Sequence, residues 1–419
     1  MARLGLRHAE RRPVAVSLTP LPLEADSRAF RVACRLAEAG FRSIVVEGRA
    51  SRQRFWSDKI EVRSCGAYAR DRFGTAPRGG ALRRGRYGRG GELALYAAFR
   101  WHDFWCHCAR PFALIPPADL YYLHSFELYR AIAARRAPIV YDAHDFYRGI
   151  EPPERQPVFD RERIRPFRER LERRLAAAAA ALVTVSDSIA TMMEATFGRR
   201  PTVIRNCHDA RLDRAIDPDL RARLGLSAAD RLCVAVGNCK RGMAVDVAVA
   251  ALSRLPCHFH LAFVGRFYDA DRDRLRDHPA ADRLHFGHCV QPDEVVPFIR
   301  TADLGLVLYE PYSANYRAAL PNGFFQIVAA GLPLIRAPLP EIEAAIAGRR
   351  IGICLDRLDP PHLAAAILDG AASAPELRAA SAAVGRELRW EQEAIRLDSV
   401  LKTVLPERAG AAATELHPL

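Results

Sequence analysis

Short apolar runs alternate with helical stretches twice along this chain of 419 residues, and a polar gap separates the two rounds. The first round has strand-like runs at 14–18, 43–47, 120–123, 139–141, 182–185 and 203–205. The second has them at 232–236, 260–264, 284–286, 304–308 and 334–335. Helical spacing falls between them, at 27–39, 92–108, 160–181, 245–254, 294–300 and 324–330. Consecutive strands joined through a helix must run parallel, because the helix carries the chain back to the starting edge of the sheet. Two such rounds predict two doubly wound α/β domains. The polar stretch 209–230 contains no apolar strand and marks the boundary, giving domains 1–211 and 212–385. A helix at 386–406 follows, and then an Ala/Gly-rich tail, 407–419, that is expected to be disordered.

Parallel sheets of this kind bind ligands beyond the carboxyl ends of their strands. Two turns in the second half fit that role. The segment Gly237-Asn238-Cys239-Lys240-Arg241-Gly242 lies after a strand and before a helix, where a glycine turn lets backbone N–H groups meet a phosphate. The segment Leu320-Pro321-Asn322-Gly323 leads into the helix beginning at Phe324, with Asn322 as its expected N-cap. In the first half, His124 and His144 each end a strand, and Asp26, Ser27 and Arg28 follow the first one. Asp26 or Ser27 also suits a simple helix cap.

Charge narrows the partners. Lys+Arg 62 against Asp+Glu 49 gives +13, nearly all of it Arg because only Lys59, Lys240 and Lys402 are lysines. That balance favours an anionic partner. The stretch 70–91 is dense in Arg and Gly and reads as a loop. Tyr96, Phe99, Trp101, Phe104 and Trp105 come directly after it. A cationic segment beside an aromatic helix suits an anionic membrane surface, so 70–105 is the expected contact region. One short Arg/Gly string is a weak signal for nucleic acid, which is set aside as a partner.

Ten cysteines in a chain of this length read as reduced thiols, with Cys233, Cys257 and Cys354 as small apolar residues, and point to the cytoplasm. No apolar run reaches the ~18 residues of a membrane span. Asp269-Ala270-Asp271 and Cys106-His107-Cys108 mimic metal motifs, but the first is short and frequent and the second has no common zinc spacing. No metal and no cofactor is expected.

The second half also carries an ordered set of strings. They are Val264-Gly265, Ala302-Asp303-Leu304-Gly305-Leu306, Leu320-Pro321-Asn322-Gly323-Phe324-Phe325-Gln326, Ala330-Gly331-Leu332-Pro333 and Leu339-Pro340-Glu341. The first half adds Tyr141-Asp142-Ala143-His144-Asp145, Thr184-Val185-Ser186-Asp187 and Ile204-Arg205-Asn206. Trp390-Glu391-Gln392-Glu393 opens the last helix. Over roughly residues 13–405 the chain resembles the retaining GT-B glycosyltransferases of family 4, also called glycosyl transferases group 1.

The resemblance implies a GT-B fold, with two Rossmann-like domains facing across a cleft and a C-terminal helix crossing back to the first domain. It implies transfer of a sugar from a nucleoside diphosphate to a glycan or lipid-linked acceptor, with retention. The sugar nucleotide is then a substrate, and polysaccharide biosynthesis at the inner face of the plasma membrane is the expected setting. On the donor side it implies Gly237, Asn238, Lys240, Arg241, Asn322, Gly323, Phe324 and Gln326. His144 would be the catalytic residue, orienting the sugar, and Asp26, Ser27, Arg28 and His124 would lie on the acceptor side. The chain departs from the family in one place: Ala318 and Gln326 stand where the pattern has two Glu, and Gly323 where a subgroup has Lys. That departure keeps two alternatives open, a non-catalytic GT-B partner subunit or glycan-binding protein, and a sugar-nucleotide epimerase on the same fold.

Overall fold

The structure is a computed structural model and describes residues 12–48, 59–65, 89–150, 158–239, 242–267 and 269–405. The chain begins with β1 (Val14–Thr19), α1 (Ser27–Glu38), β2 (Arg42–Glu47) and β3 (Ile60–Ser64). Next come α2 (Arg89–Phe104), α3 (Arg110–Leu114), β4 (Leu120–Leu123), β5 (Ile139–Ala143), α4 (Tyr147–Ile150) and α5 (Arg165–Ala178). Then follow β6 (Ala181–Thr184), α6 (Asp187–Phe197), β7 (Thr202–Val203) and α7 (Leu220–Arg223). These strands form one sheet in the order β3-β2-β1-β4-β5-β6-β7. The paired strands run parallel, with Val14 opposite Arg42 and Val16 opposite Tyr121.

The second round is β8 (Arg231–Val236), α8 (Val245–Leu252), β9 (Phe259–Val264), α9 (Asp269–Leu275), β10 (Leu284–His288), α10 (Val295–Ile299) and β11 (Leu304–Val307). It continues with α11 (Ala314–Arg317), α12 (Asn322–Ala329), β12 (Leu334–Arg336), α13 (Pro340–Ile346) and β13 (Gly352–Cys354). The helices α14 (Pro360–Ala372), α15 (Ala374–Glu387) and α16 (Trp390–Val404) complete it. Its sheet has the order β10-β9-β8-β11-β12-β13. Side chains alternate across this sheet as the two-residue strand period requires. Leu232, Val234 and Val236 join Phe324, Ile327 and Val328 of α12 on one face. Cys233 and Ala235 join Val249 of α8 and Leu363 of α14 on the other.

Contacts group the described residues into two compact units: 12–143, 158–182 and 404–405 in one, 144–150 and 183–403 in the other. Segments from the first half of the sequence therefore belong to the second unit. Hydrogen bonds hold them there. Asn315 Nδ2 donates to Asp145 Oδ1 (2.7 Å), and Asn315 Oδ1 accepts from Phe146 N (2.9 Å). Ser186 Oγ donates to the Ala318 carbonyl (3.2 Å), and Ser188 N donates to Glu341 (2.7 Å). The last helix is tied in the same way. Glu393 accepts from Arg205 N (2.9 Å), and Arg396 donates to the Val203 carbonyl (3.1 Å).

The sequence reading has no element for β13 or for α13 to α15, and three further elements differ from it. Strand β3 carries Glu61 and Arg63 between Ile60 and Val62, which hides its apolar pattern; it lies at the sheet edge and is only partly covered. The aromatic helix begins at Arg89, inside the stretch read as a loop. Asn322 is the first residue of α12 and not its cap; Pro321, held extended (φ −75°, ψ 152°), takes that position. Among the ten cysteines none forms a disulfide, Cys233 is buried, and Cys257 is exposed against expectation. The tail 407–419 and the basic stretch 70–88 lie outside the described residues. No helix among the described residues is long and apolar enough to cross a membrane.

Candidate functional site

In the second sheet the strand order reverses between β8 and β11, and the crevice beyond their carboxyl ends is the place a doubly wound sheet offers a ligand. Two glycine turns meet there. Gly237, after β8, and Gly265, after β9, have φ of 123° and 135°, a region L side chains rarely adopt. A Cβ on Gly265 would lie 2.5 Å from the Gly237 carbonyl oxygen. The two turns are joined by hydrogen bonds: Gly237 N to the Val264 carbonyl (2.9 Å), Cys239 N to the Arg266 carbonyl (2.8 Å), and Arg266 N to Asn238 Oδ1 (3.0 Å). Asn238 thus acts as a brace between loops.

Lys240 and Arg241 lie outside the described residues. The chain on their far side is fixed: Ala244 N bonds the Leu308 carbonyl (3.0 Å) and Glu310 N bonds the Gly242 carbonyl (2.8 Å). Gly242 is pressed against Tyr312 and Tyr316, whose ring atoms would lie 2.4 and 2.8 Å from a Cβ there.

The start of α12 closes the other side. A Cβ on Gly323 would lie 2.5 Å from the Val236 carbonyl oxygen, so the helix's first turn touches the last residue of β8. Asn322 Oδ1 accepts from Asn206 Nδ2. The first N–H groups of a helix have no acceptor within it and carry its positive dipole end. Phe324 is fully buried and belongs to the core; Gln326, two residues on, is also buried. A small apolar cavity, bounded by Val236, Met243, Tyr309, Pro321 and Gly323, lies between these parts. Burial, with Asp145 and Cys239 nearby, pushes the Tyr309 phenol far above its ordinary range, so it stays protonated.

His144 opens the second unit, half-buried, immediately before the Asp145–Phe146 stretch that Asn315 clamps. Ser313 caps α11 by accepting from Tyr316 N (3.2 Å) and so fixes Asn315. Neither Asn315 nor Asn206 stood out as a site residue in the sequence. Their partners are remote in the chain; Asn315 stands in no motif, and Asn206 appears only at the end of the Ile204-Arg205-Asn206 string, with no site role.

The acceptor-side candidates of the first unit form a buried network at the ends of β1, β4 and β5. Asp26 caps α1, accepting from Ala29 N (3.0 Å) and from Thr19 Oγ1 (2.7 Å). Ser27 is the first residue of that helix. Arg28 makes a bidentate pair with Asp142, Nε to Oδ2 at 2.8 Å and Nη2 to Oδ1 at 2.9 Å, and both are buried. Burial alone would lower the Arg28 pKa, but the charge and hydrogen bonds of Asp142, with Tyr122 and Asp26 nearby, together outweigh it and raise it. Tyr122 also donates to Asp142 (3.0 Å), and burial with that charge raises the phenol well above its usual range. His124 Nδ1 stands 3.9 Å from Asp142, and His124 N donates to the Leu18 carbonyl (2.9 Å).

The cysteine–histidine string does not converge. Cys106 Sγ faces His102 (3.5 Å), whereas His107 faces Asp103 (3.0 Å) and Glu127 (3.7 Å). Burial would lower the His107 pKa, but those two carboxylates raise it on balance. Of the Asp269–Asp271 string, the backbone opens α9.

Residues 26–212 match the model of Glycosyltransferase Family 4. A search of curated proteins finds no significant match. Among solved structures, sucrose-phosphate synthase from Thermosynechococcus elongatus is similar with TM-score 0.65 and 15% identity, covering 94% of this chain and 100% of that one. Anabaena HepE, solved in complex with UDP and glucose, gives TM-score 0.65 and 15% identity over 93% and 99%. WaaG, a glycosyltransferase involved in lipopolysaccharide biosynthesis, gives TM-score 0.55 and 16% identity over 89% and 94%. The chain has the GT-B fold, and over residues 26–212 it resembles Glycosyltransferase Family 4.

Proposed function

We propose that this protein is a glycosyltransferase that moves a sugar from a nucleoside diphosphate to a glycan or lipid-linked acceptor, with retention, in polysaccharide biosynthesis. The observation that carries this reading is the interlocked pair of glycine turns, Gly237 and Gly265, at the point where the second sheet reverses its strand order. Departure of the diphosphate builds negative charge, which fixed donors and cations must meet. The first turn of α12 supplies oriented N–H groups, and Lys240 and Arg241 supply charge from the loop that Asn238 and the 242–244 segment hold at its two ends. Gln326 is assigned to a ribose hydroxyl. His144 orients the sugar, and Asp26, Ser27, Arg28 and His124 shape the acceptor side. HepE, a similar fold, was solved with UDP and glucose, which makes UDP-glucose the first donor to test.

The face of α2, α3 and the helical segment Trp105–Ala109 between them that carries Leu93, Trp101, Trp105 and Phe112 is open to solvent, with Trp101 69% exposed. This face is assigned to an anionic membrane surface, on the cytoplasmic side, from which a lipid-linked acceptor is taken.

The test is thermal unfolding with UDP, GDP, ADP and dTDP, followed by transfer assays with the matching sugar nucleotides. One nucleotide should raise the melting temperature by several degrees; at ~100 times its dissociation constant it adds about 2.7 kcal/mol. Asn238→Ala, which unties the two turns, should weaken that effect. No stabilisation by any nucleotide sinks the reading. A second reading rests on Ala318, which is buried with its carbonyl taken by Ser186, and Gln326, where no carboxylate is present. Binding without transfer or hydrolysis would make the protein a non-catalytic partner, and conversion of the sugar nucleotide without acceptor would make it an epimerase.

A further inference from the structure

A second concave site lies in the first unit, outside everything assigned above. It is an open pocket of about 460 Å³ between α2, the turn Phe126–Ala131 and α5. Arg100, Arg130, Arg170 and Arg174 line it, with Tyr129 at one wall and Phe167 beneath; no carboxylate is among its lining residues. Of the nearby acids, Asp103 pairs with Arg130 itself and with His107, while Glu127 is engaged with Arg168 and Glu169 with Arg165.

Arg130 is compensated by Asp103, but the guanidiniums of Arg100, Arg170 and Arg174 around the same pocket repel each other unless something anionic stands between them. The Phe167 ring offsets part of this, with the Arg100 guanidinium 4.1 Å and that of Arg130 5.5 Å from its centroid. Both Nε atoms are nevertheless buried without a hydrogen-bond partner. Arg170 and Arg174 are exposed, one turn apart on α5, and form no ion pair or hydrogen bond among the described residues. Like charges at that spacing mildly destabilise a helix, so the pair is better explained by a ligand than by the fold. The planar guanidinium fork matches phosphate oxygens two at a time.

We infer that this arginine pocket binds the phosphate of an anionic lipid headgroup. The lipid source follows from position: Arg130 also lies 5.9 Å from the ring centroid of Phe104, which continues the exposed aromatic face at Trp101 and Trp105. Apolar contact and phosphate contact are thus adjacent, as they are at a bilayer surface. The inference rests on the membrane-surface reading of α2 and α3 and adds a headgroup preference: a phosphate monoester, with its extra charge and free oxygens, is favoured over a phosphodiester.

The test is sedimentation of the whole protein with phosphatidylcholine vesicles carrying phosphatidic acid or phosphatidylglycerol, matched in surface charge. Phosphatidic acid should bind the protein more tightly. R170A/R174A should lose affinity for it by about 30-fold, the effect expected of two charges at an anionic surface. R163A/R173A removes the same charge from exposed positions of the same segment outside the pocket, and should lose much less. Unchanged melting temperatures would show that both variants fold. Equal losses in the two variants, or no preference for the monoester, would overturn the pocket and leave the surface reading standing. If the wild-type protein binds neither vesicle, both fail. Inorganic pyrophosphate that still stabilises the wild type but not R170A/R174A would then assign the pocket to a soluble phosphate instead.

Discussion

At position 323 the packing against β8 leaves room for glycine alone. Its missing Cβ lets the first turn of α12 lie against the Val236 carbonyl, and any side chain would meet that backbone oxygen at 2.5 Å. A lysine here, as in the related subgroup, therefore requires a different placing of the helix. Gly323→Ala should cost about 1–3 kcal/mol, the range for forcing extra atoms into a packed site. It should also weaken nucleotide binding, because the helix end moves away from β8. A melting curve and a nucleotide titration on the purified variant check this, and wild-type behaviour in both would show that the contact can relax. The requirement is invisible in the sequence, where Gly323 is a donor-side candidate by resemblance and nothing shows its contact with β8. The turn at Gly237 is more legible, since a glycine between a buried strand and a helix already points to a phosphate-type turn, whereas Gly265 stands out only as part of the Val264-Gly265 string. What the sequence does not show is that the Gly237 turn needs a glycine at 265 to close against it.

At the scale of elements, the strand–helix alternation was readable because buried parallel strands are uniformly apolar; β8 and β9 follow that rule at nearly every residue. Strand β3 does not, since an edge strand keeps its charges. The ties that place α4 and α6 in the second unit were also beyond reach, because they depend on single polar side chains at long sequence separation. Asn315 shows how much rests on one of them. It holds the Phe146 N–H and the Asp145 carboxylate, and Gly149 packs against its backbone N, 3.1 Å from where a Cβ would stand. Asn315→Ala leaves a buried N–H without its acceptor, at a cost of about 1–3 kcal/mol. Hydrogen exchange at Phe146 should quicken, and sugar transfer should fall because His144 sits two residues away. Asn315→Asp keeps an acceptor for Phe146 but sets a carboxylate against Asp145. It should therefore fail at neutral pH more than its size suggests. Unchanged exchange at Phe146 in both variants would remove Asn315 from this role.

For the molecule as a whole, what matters is which residues share a fate when a ligand binds. Residues 144–150 and 183–208 are early in the chain, yet they cluster with the second unit, where Asn206 meets Asn322 at the head of α12. A nucleotide bound at the turns after β8 and β9 stabilises the unit that holds it, by an amount set by its concentration over its dissociation constant. Its effect should reach every segment whose opening requires that unit to open. Saturating UDP, or whichever nucleotide raises the melting temperature, should slow amide exchange in β8, β9, β11 and α12. It should also slow exchange in α4 and the first turn of α6, which precede Gly237 by about 87 and about 47 residues at the nearest. Strands β1 and β2, in the other unit, should exchange at an unchanged rate. Uniform slowing across β1, β2 and β8 would mean that the chain opens as a single cooperative body and that the division into two units carries no energetic weight. Slowing confined to 231–336, with α4 and α6 unmoved, would mean that the bonds from Asn315, Ser186 and Glu341 hold those segments without making them share the unit's stability.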